Sequence, residues 1–407
     1  MFEFKHFCNL KELLSIALVT PFLKMVTLIK YPYSGLIGRY FMKRRTFLKL
    51  VIGAAIVTMS GSLGYYYVYQ PVQVSRTEKS TITIVDTLGR TVTLPYPVES
   101  CIVTDDNVAE SVQLIGAADK VIGIEDSIPE RGYFPEMSDK PTIGNQFRGL
   151  NYELIVKLKP DVVIMMGYRA AQPEQTLKKL DEIGVKAICI GVPYPELEPK
   201  TIEILGKIFG KEERAKAYLK WRDEKINLVK ERLTGLEKDE KVRVYVEMQF
   251  NPQSRSLSRR TWGKNYPMQT TLEWASLKNI AEEKFPTFGE VDLEWVIKEN
   301  PDIMFLGDWS DGWTGYKKTD TSIPNSFLES VKANEAVKQI KAVKENKVYV
   351  INYMLLGTRA VVGVQYLAKA AYPEKFADID PEEIHQEYFE KWLGVKYQGI
   401  WFYPRLD

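Results

Sequence analysis

Two segments, one in each half of this chain, carry nearly the same sequence. The first begins at Asn151 and reads NYELIVKLKPDVVIM, and the second begins at Asp292 and reads DLEWVIKENPDIMFL. Each starts with a good helix-capping residue, continues for about two helical turns and meets a proline, which disfavours helix in the residue before it. Each then enters a short apolar run typical of a buried strand. A helix–strand unit repeated once in each half predicts two similar α/β lobes with a ligand-binding cleft between them.

Charge is divided unevenly along the chain. Residues 1–49 hold nine Lys/Arg and two acidic residues, whereas acidic residues slightly outnumber basic ones in the remainder. A mildly acidic globular part argues against nucleic-acid binding. The three cysteines lack metal-ligand spacing and only two histidines occur, so no His/Cys metal site is expected. Cys101 and Cys189 are predicted to be buried free thiols, and His385 is predicted to lie at the surface.

The basic leader is followed by an apolar run from Leu50 to about Tyr69, which is long enough to cross a bilayer. Basic residues before the run place its N-terminal end in the cytoplasm. The segment Arg44–Lys49 resembles a twin-arginine export signal, and a plain basic cluster before a helix is the alternative. We expect residues 42–70 to be an uncleaved anchor that holds the protein at the extracytoplasmic face of the membrane. Export followed by release is the alternative.

The rest of the chain divides into segments by composition and pattern. Residues 1–41 are an uncertain leader, either a second membrane segment or an over-extended start with Met42 as the favoured beginning. Four further segments are predicted: a linker at residues 71–80, an N-terminal lobe at 81–195, a linking helix at 196–240 and a C-terminal lobe at 241–407. Alternating strands and helices predict parallel sheets. The predicted fold class is α/β, with two Rossmann-like lobes with parallel-type sheets joined by a single long rigid helix, although Gly210 interrupts the helical pattern.

Five blocks of sequence resemble, in order, the iron-siderophore/cobalamin class of ABC-transporter substrate-binding proteins. They are residues 83–95, 109–124, 144–161, 248–252 and 291–302, and the resemblance extends over about residues 80–395. It implies two lobes, a ligand clamped between them, and docking onto a permease dimer through one glutamate on each lobe. Glu153 and Glu294 match those two positions. Each carboxylate can meet a basic patch on one of two symmetric subunits, although a glutamate near a helix N-terminus also suits the helix dipole.

Four predicted loops, one of which precedes the first repeat unit, carry aromatic and arginine side chains, and ligands of such folds bind at loops that follow the strands. The candidate ligand-binding residues are Phe147, Arg148, Tyr168, Arg169, Arg259, Trp262, Trp309 and Trp313. Aromatic rings beside arginine suit a bulky, partly planar, anionic ligand. Half-buried tryptophans and a solvated basic loop are the alternative. A ferric siderophore needs no metal ligands from the protein and is the expected ligand, with a corrinoid or haem as the alternative.

Enzymatic function has little support in the sequence. It contains no Gly-rich phosphate loop, nucleophile elbow or histidine-containing triad, and it lacks the cysteines that a nitrogenase-like enzyme would need for its cluster. A membrane-anchored scaffold is the other alternative. We therefore expect a non-enzymatic importer binding protein without a cofactor of its own, which delivers an iron chelate to its permease after only modest lobe closure.

Overall fold

Two largely parallel β-sheets, one from each half of the sequence, organise the protein. The computed structural model describes residues 80–167, 173–248, 258–309 and 311–406. The predicted leader and anchor, residues 1–41 and 42–70, lie outside this part of the chain. Within it, no helix combines the length and apolar character needed to cross a membrane.

The N-terminal sheet has four parallel strands in the spatial order β4-β3-β7-β8. Its strands are almost wholly buried, as expected for a parallel sheet covered on both faces. Two antiparallel hairpins, β1–β2 and β5–β6, accompany it. The strands are β1 (Thr81–Val85), β2 (Thr91–Pro95), β3 (Cys101–Val103), β4 (Val121–Gly123), β5 (Gly144–Asn145), β6 (Gly149–Leu150), β7 (Val162–Met166) and β8 (Ala187–Ile190).

The C-terminal sheet has the order β11-β9-β13-β14-β15, and only the edge strand β15 is antiparallel to its neighbour. A separate antiparallel pair, β10–β12, leads into the second repeat unit. The strands are β9 (Arg243–Glu247), β10 (Ser258–Trp262), β11 (Lys278–Asn279), β12 (Phe288–Asp292), β13 (Ile303–Asp308), β14 (Val348–Asn352) and β15 (Phe402–Tyr403).

Helices cover the faces of these sheets and connect their strands. The α-helices are α1 (Asp106–Leu114), α2 (Ile128–Arg131), α3 (Tyr152–Leu158), α4 (Glu174–Glu182), α5 (Glu198–Phe209), α6 (Glu212–Arg232), α7 (Gln269–Trp274), α8 (Leu293–Glu299), α9 (Ser322–Lys332), α10 (Lys341–Lys344), α11 (Ala360–Ala371) and α12 (Pro381–Glu387). One large hydrophobic core contains side chains from both halves of the sequence, and each half adds a smaller core of its own.

The two repeat units fold alike. Asn151 and Asp292 cap α3 and α8, accepting hydrogen bonds from the backbone N–H groups of Leu154 at 3.0 Å and Trp295 at 2.6 Å. Both helices end in a left-handed residue immediately before the repeat proline, Lys159 in one case and Asn300 in the other.

The aspartate of each repeat also has the same role in both halves. Asp161 accepts a hydrogen bond from the backbone N–H of Ser100, which precedes β3, at 3.0 Å. Asp302 accepts one from the N–H of Arg243, the first residue of β9, at 2.9 Å. Each carboxylate therefore joins its repeat strand to the neighbouring parallel strand, and the sequence duplication corresponds to a structural one.

The connection between the two halves consists of two helices, which corrects the expected single long helix. Gly210 adopts the left-handed conformation, with φ of 63°, and ends α5. Helix α6 begins two residues later and packs back against α5, where Gly206 allows close approach to Ala215. Helix α5 contacts α1, whereas α6 contacts α11. A glycine at this position lets the chain reverse instead of continuing as one helix.

The cysteine prediction is confirmed and the histidine prediction is wrong. Cys101 and Cys189 are buried free thiols, and burial raises the pKa of Cys189 to about 12. His385 is fully buried, with its ring near those of Tyr397 and Trp401. Glutamates of α12 occupy its more exposed positions, so the acidic composition of this segment concealed its buried face.

Candidate functional site

A cleft opens where the carboxyl ends of the two sheets converge. Residues that follow β3, β4, β7 and β8 lie on one side of it, and residues that follow β13 and β14 lie on the other, as expected for ligand sites in parallel sheets. The cleft contains a cavity of about 590 Å³. Its lining includes Asp105, Asp106, Glu125, Arg131, Asn145, Phe147, Arg148, Pro193, Tyr266, Trp309 and Tyr353.

A second cavity of about 370 Å³ adjoins the first. Both cavities are lined by Ser127, Arg131 and Trp309. The second is completed by Glu130, Asp311, Gly315, Tyr316, Lys317 and Lys318. Arg131 and Trp309 therefore stand at the boundary between the two spaces.

Two aromatic side chains border the larger cavity from opposite halves of the chain. Trp309 is half-buried and stacks on Tyr353, with ring centroids 4.8 Å apart and an interplanar angle of 11°. The Tyr353 hydroxyl donates to Asp106 at 2.9 Å, which fixes the ring that supports Trp309. Phe147 lies in the loop between β5 and β6, where 61% of its surface is exposed. A flat ligand in the cavity could therefore contact one aromatic ring from each half of the chain, Phe147 from the N-terminal half and Trp309 from the C-terminal half.

Asp308 organises the loop that carries Trp309. It is fully buried at the end of β13 and accepts hydrogen bonds from the backbone N–H groups of Gly312 at 3.1 Å, Trp313 at 2.7 Å and Thr314 at 2.7 Å. Sequence reasoning missed this residue. An aspartate at a strand end, followed by glycine and threonine, was the available signal, because aspartate side chains commonly accept hydrogen bonds from the backbone of the turn that follows them.

Arg131 joins the two halves across the cleft and was also missed from the sequence. Its guanidinium lies 2.5 Å from the carboxylate of Asp106 on one side and 2.5 Å from that of Asp311 on the other. Burial disfavours the charged form, but Asp106 and Asp311 outweigh that effect and raise the pKa of Arg131. Asp311 presents its carboxylate from a left-handed backbone conformation, with φ of 50°, which is uncommon for a residue other than glycine.

Buried carboxylates line the N-terminal side of the cavity. One oxygen of Asp105 accepts from the backbone N–H of Asn107 at 2.9 Å and caps α1. Burial, followed by the charge of Asp106, raises the pKa of Asp105 to about 7. Glu125 is held by hydrogen bonds from the backbone of Ser127 and the side chain of Asn145, each of 2.8 Å. This wall is therefore acidic and rigidly held.

The structure brings only some of the predicted ligand-binding residues to these cavities. Phe147, Arg148 and Trp309 line the larger one. Tyr168 and Arg169 lie outside the described residues.

Three of the other candidates lie elsewhere. Trp262 is fully buried in the core and stacks on Tyr266 at 5.2 Å. Trp313 stacks on Phe327 at 5.0 Å against the smaller C-terminal core. The guanidinium of Arg259 lies 3.3 Å from the buried carboxylate of Glu247. Neither cavity is lined by any of the three.

The predicted basic loop around Arg259 is in fact partly strand β10. Along this strand Thr261 and Trp262 are buried, whereas Arg260 is exposed. The ring of Phe288 on the paired strand lies beneath the Arg260 guanidinium, 5.7 Å away. A half-buried strand, and not a solvated loop, therefore accounts for the mixture of arginine and tryptophan in this segment.

Glu153 and Glu294 occupy equivalent exposed positions in the first turns of α3 and α8. Neither side chain lines the two cavities. The paired carboxylates are thus presented outwards, one by each repeat unit.

Fold and site together define a two-lobed ligand-binding protein with an interlobe cleft. The chain belongs to the periplasmic binding protein family, which it matches over residues 102–353.

Three relatives illustrate the range of ligands named within this family. The molybdate-binding protein MolA of Haemophilus influenzae is 23% identical over 77% of this chain and 92% of its own length. The petrobactin-binding protein YclQ of Bacillus subtilis is 26% identical over 67% of this chain and 81% of its own length. A vitamin B12-binding protein of Vibrio parahaemolyticus is 24% identical over 58% of this chain and 82% of its own length.

Among solved structures, the TroA-like periplasmic binding protein FepB from Veillonella parvula is similar along its whole length. It superposes with a TM-score of 0.69 at 26% identity and covers 80% of this chain and 100% of its own. The similarity therefore extends over most of the chain.

Proposed function

We propose that this protein is the substrate-binding component of an ABC importer and that its cleft captures a preformed ferric chelate of the siderophore type. The observation that carries this proposal is the pair of aromatic side chains, Phe147 and Trp309, which border one cavity from opposite halves of the chain. A bulky ligand held between them would contact both lobes at once.

The dimensions and chemistry of the cleft support a small-molecule ligand of this kind. The two adjoining cavities, of about 590 and 370 Å³, suit a compact organic chelate. Aromatic surfaces from Trp309 and Phe147 would contact its apolar parts, while buried polar groups orient it. Relatives named as a petrobactin-binding protein and an iron-uptake system-binding protein support a ferric chelate.

A corrinoid is the second candidate. The exposed face of Trp309, supported from behind by Tyr353, offers a flat surface against which a planar macrocycle would stack. The vitamin B12-binding relatives are consistent with this alternative. Haem is a weaker candidate because His385, the sole histidine among the described residues, is buried away from the cleft.

Delivery to the permease dimer would use the two repeat glutamates. Glu153 and Glu294 are exposed, lie on structurally equivalent helices and leave the cleft free for ligand. Carboxylates so arranged suit a two-fold symmetric partner with one basic patch on each subunit. We infer that the protein lies at the extracytoplasmic face of the membrane, because there it can meet both its ligand and its permease. Residues 42–70 would serve as the anchor or export signal.

The test is calorimetric titration of the purified full-length protein with individual ligands. The panel is ferrichrome, ferrioxamine B, ferric enterobactin, cyanocobalamin and molybdate. The proposal expects at least one ferric chelate to bind with a micromolar or lower Kd and cyanocobalamin to bind more weakly. Binding of cyanocobalamin alone would establish the corrinoid alternative, and binding of molybdate alone, or of no ligand, would overturn the chelate proposal.

A further inference from the structure

Asp105 stands at the base of the cleft with one carboxylate oxygen uncommitted. Its Oδ1 accepts hydrogen bonds from the backbone N–H of Asn107 at 2.9 Å and from the side-chain amide at 2.8 Å. Among the described residues, none donates a hydrogen bond to Oδ2. The residue lines the larger cavity and is only 8% exposed. A carboxylate oxygen that has no protein donor and belongs to a mostly buried residue beside a cavity is stabilised when a ligand supplies a donor.

The surroundings of Asp105 are negatively charged. Asp106 and Glu125 line the same wall and are both buried. Arg131 lines the same cavity, but its guanidinium is already shared between Asp106 and Asp311. Arg131 therefore leaves no excess positive charge at this wall.

Within the described part of the chain, the arginines expected to attract an anionic ligand do not offset this charge. Arg259 is paired with Glu247 and lines neither cavity. Arg148 does line the larger cavity, but it is exposed on the hairpin loop, where solvent screens its charge. The acidic base of the cleft thus opposes the anionic ligand that the sequence alone suggested.

We propose that Asp105 is a specificity-determining residue and that the cleft selects a chelate presenting a cationic or hydrogen-bond-donating group to this wall. The inference rests on the proposed function and narrows its substrate class. An ammonium or amide group of the ligand would donate to Asp105 Oδ2, whereas a polyanionic chelate would be repelled by Asp105, Asp106 and Glu125 together.

The informative variant is Asp105→Asn, because asparagine caps a helix about as well as aspartate and the start of α1 is preserved. Asp119→Asn is the matched control, since Asp119 lies on the same half, is exposed and lines neither cavity. The probes are ferrioxamine B, which carries a free ammonium group, neutral ferrichrome, and ferric enterobactin, which is trianionic. Each Kd is measured by calorimetry on the full-length protein at pH 8, with near-ultraviolet circular dichroism as a check of folding.

Wild-type protein should bind ferrioxamine B or ferrichrome more tightly than ferric enterobactin. Asp105→Asn should weaken ferrioxamine B binding about tenfold, the usual effect of losing one hydrogen bond to a charged group, and change ferrichrome binding much less. Asp119→Asn should change neither. Tightest binding of ferric enterobactin, or an equal effect of Asp105→Asn on both hydroxamates, would overturn this inference and leave the chelate proposal standing. Failure of all three chelates to bind would overturn both.

Discussion

Glu110 and Arg359 form a bidentate ion pair, with N···O distances of 2.8 and 2.7 Å, in which neither side chain is exposed. Glu110 lies on α1 of the N-terminal half and Arg359 immediately precedes α11 of the C-terminal half. The Tyr388 hydroxyl also donates to Glu110 at 2.7 Å, and the ring of Trp401 lies 4.2 Å from the guanidinium. The two halves are therefore joined by a buried, charged contact.

Removing one partner of this pair should destabilise the protein strongly. Glu110→Gln leaves Arg359 charged and buried without a counter-ion, so we expect a loss of about 3–5 kcal/mol in the free energy of unfolding. Urea denaturation followed by circular dichroism measures it. Glu213→Gln, which breaks an exposed pair with Lys216, is the control and should have little effect. A loss no larger than that of the control would show that the buried pair contributes nothing.

Lobe closure on ligand binding should be modest. Besides the Glu110–Arg359 pair, the Thr358 hydroxyl donates to Asn107 at 2.6 Å, and the Gln113 side-chain amide donates to the carbonyl of Leu393 at 2.8 Å. A large hinge rotation would break these buried contacts. Small-angle scattering should give radii of gyration that agree within about 1 Å with and without bound chelate. A decrease of several ångströms would contradict the expectation.

The effect of Asp105 on stability should depend on pH. Its folded-state pKa of about 7 lies above that of an unfolded aspartate, so between these values the native state holds a proton that the unfolded state has lost. The stability contributed by Asp105 is therefore present at low pH and is lost as pH rises towards and through 7.

The difference in unfolding temperature between Asp105→Asn and wild type should accordingly shift in favour of the variant from pH 5 to pH 8. Wild-type stability alone is not informative, because buried His385 also makes it depend on pH. Burial lowers the pKa of His385, so this residue makes stability rise with pH up to its unfolded pKa of about 6.5. Comparing the variant with wild type cancels this contribution, since both proteins contain His385. A pH-independent difference would contradict the raised pKa of Asp105.

Reversing the charge of the repeat glutamates should separate transport from binding. Glu153→Lys and Glu294→Lys, singly and together, should leave chelate affinity unchanged because neither residue lines the cleft. Uptake of the iron-labelled chelate by cells carrying the cognate permease should fall at least tenfold in the double variant, since two attractive contacts become repulsive. Glu174→Lys, at an exposed position on α4, is the control. Normal uptake by the double variant would exclude the docking role.

Local sequence signals predicted much of the fold. The capped, proline-ended repeats at Asn151 and Asp292 specified equivalent helices and strands, because capping and buried apolar runs act over only a few residues. The helix-ending effect of Gly210 was visible in the sequence, but whether the chain then reversed depended on packing between α5 and α6. His385 was misplaced for a similar reason, since the tertiary contacts that bury it come from distant segments.

The site was less predictable than the fold. Trp309 could be identified because it follows a repeat strand, whereas Trp262, Trp313 and Arg259 have similar local sequence but side chains directed elsewhere. Arg131 gave no sequence signal of its own, and the sequence around Asp105 indicated a helix cap but not a place in the cavity wall. Their importance depends on contacts between residues far apart in the chain, such as Arg131 with Asp311.

The central claim, that ligand binds between the lobes against Trp309, is tested most directly by tryptophan fluorescence. The tightest-binding chelate of the panel is titrated into three full-length proteins: wild type, Trp309→Phe and Trp313→Phe. Trp313 is the matched control because it lies in the same loop but packs on Phe327 away from both cavities. Saturable quenching should persist in Trp313→Phe and be largely lost in Trp309→Phe. Equal quenching in all three proteins would contradict a ligand site in this cleft.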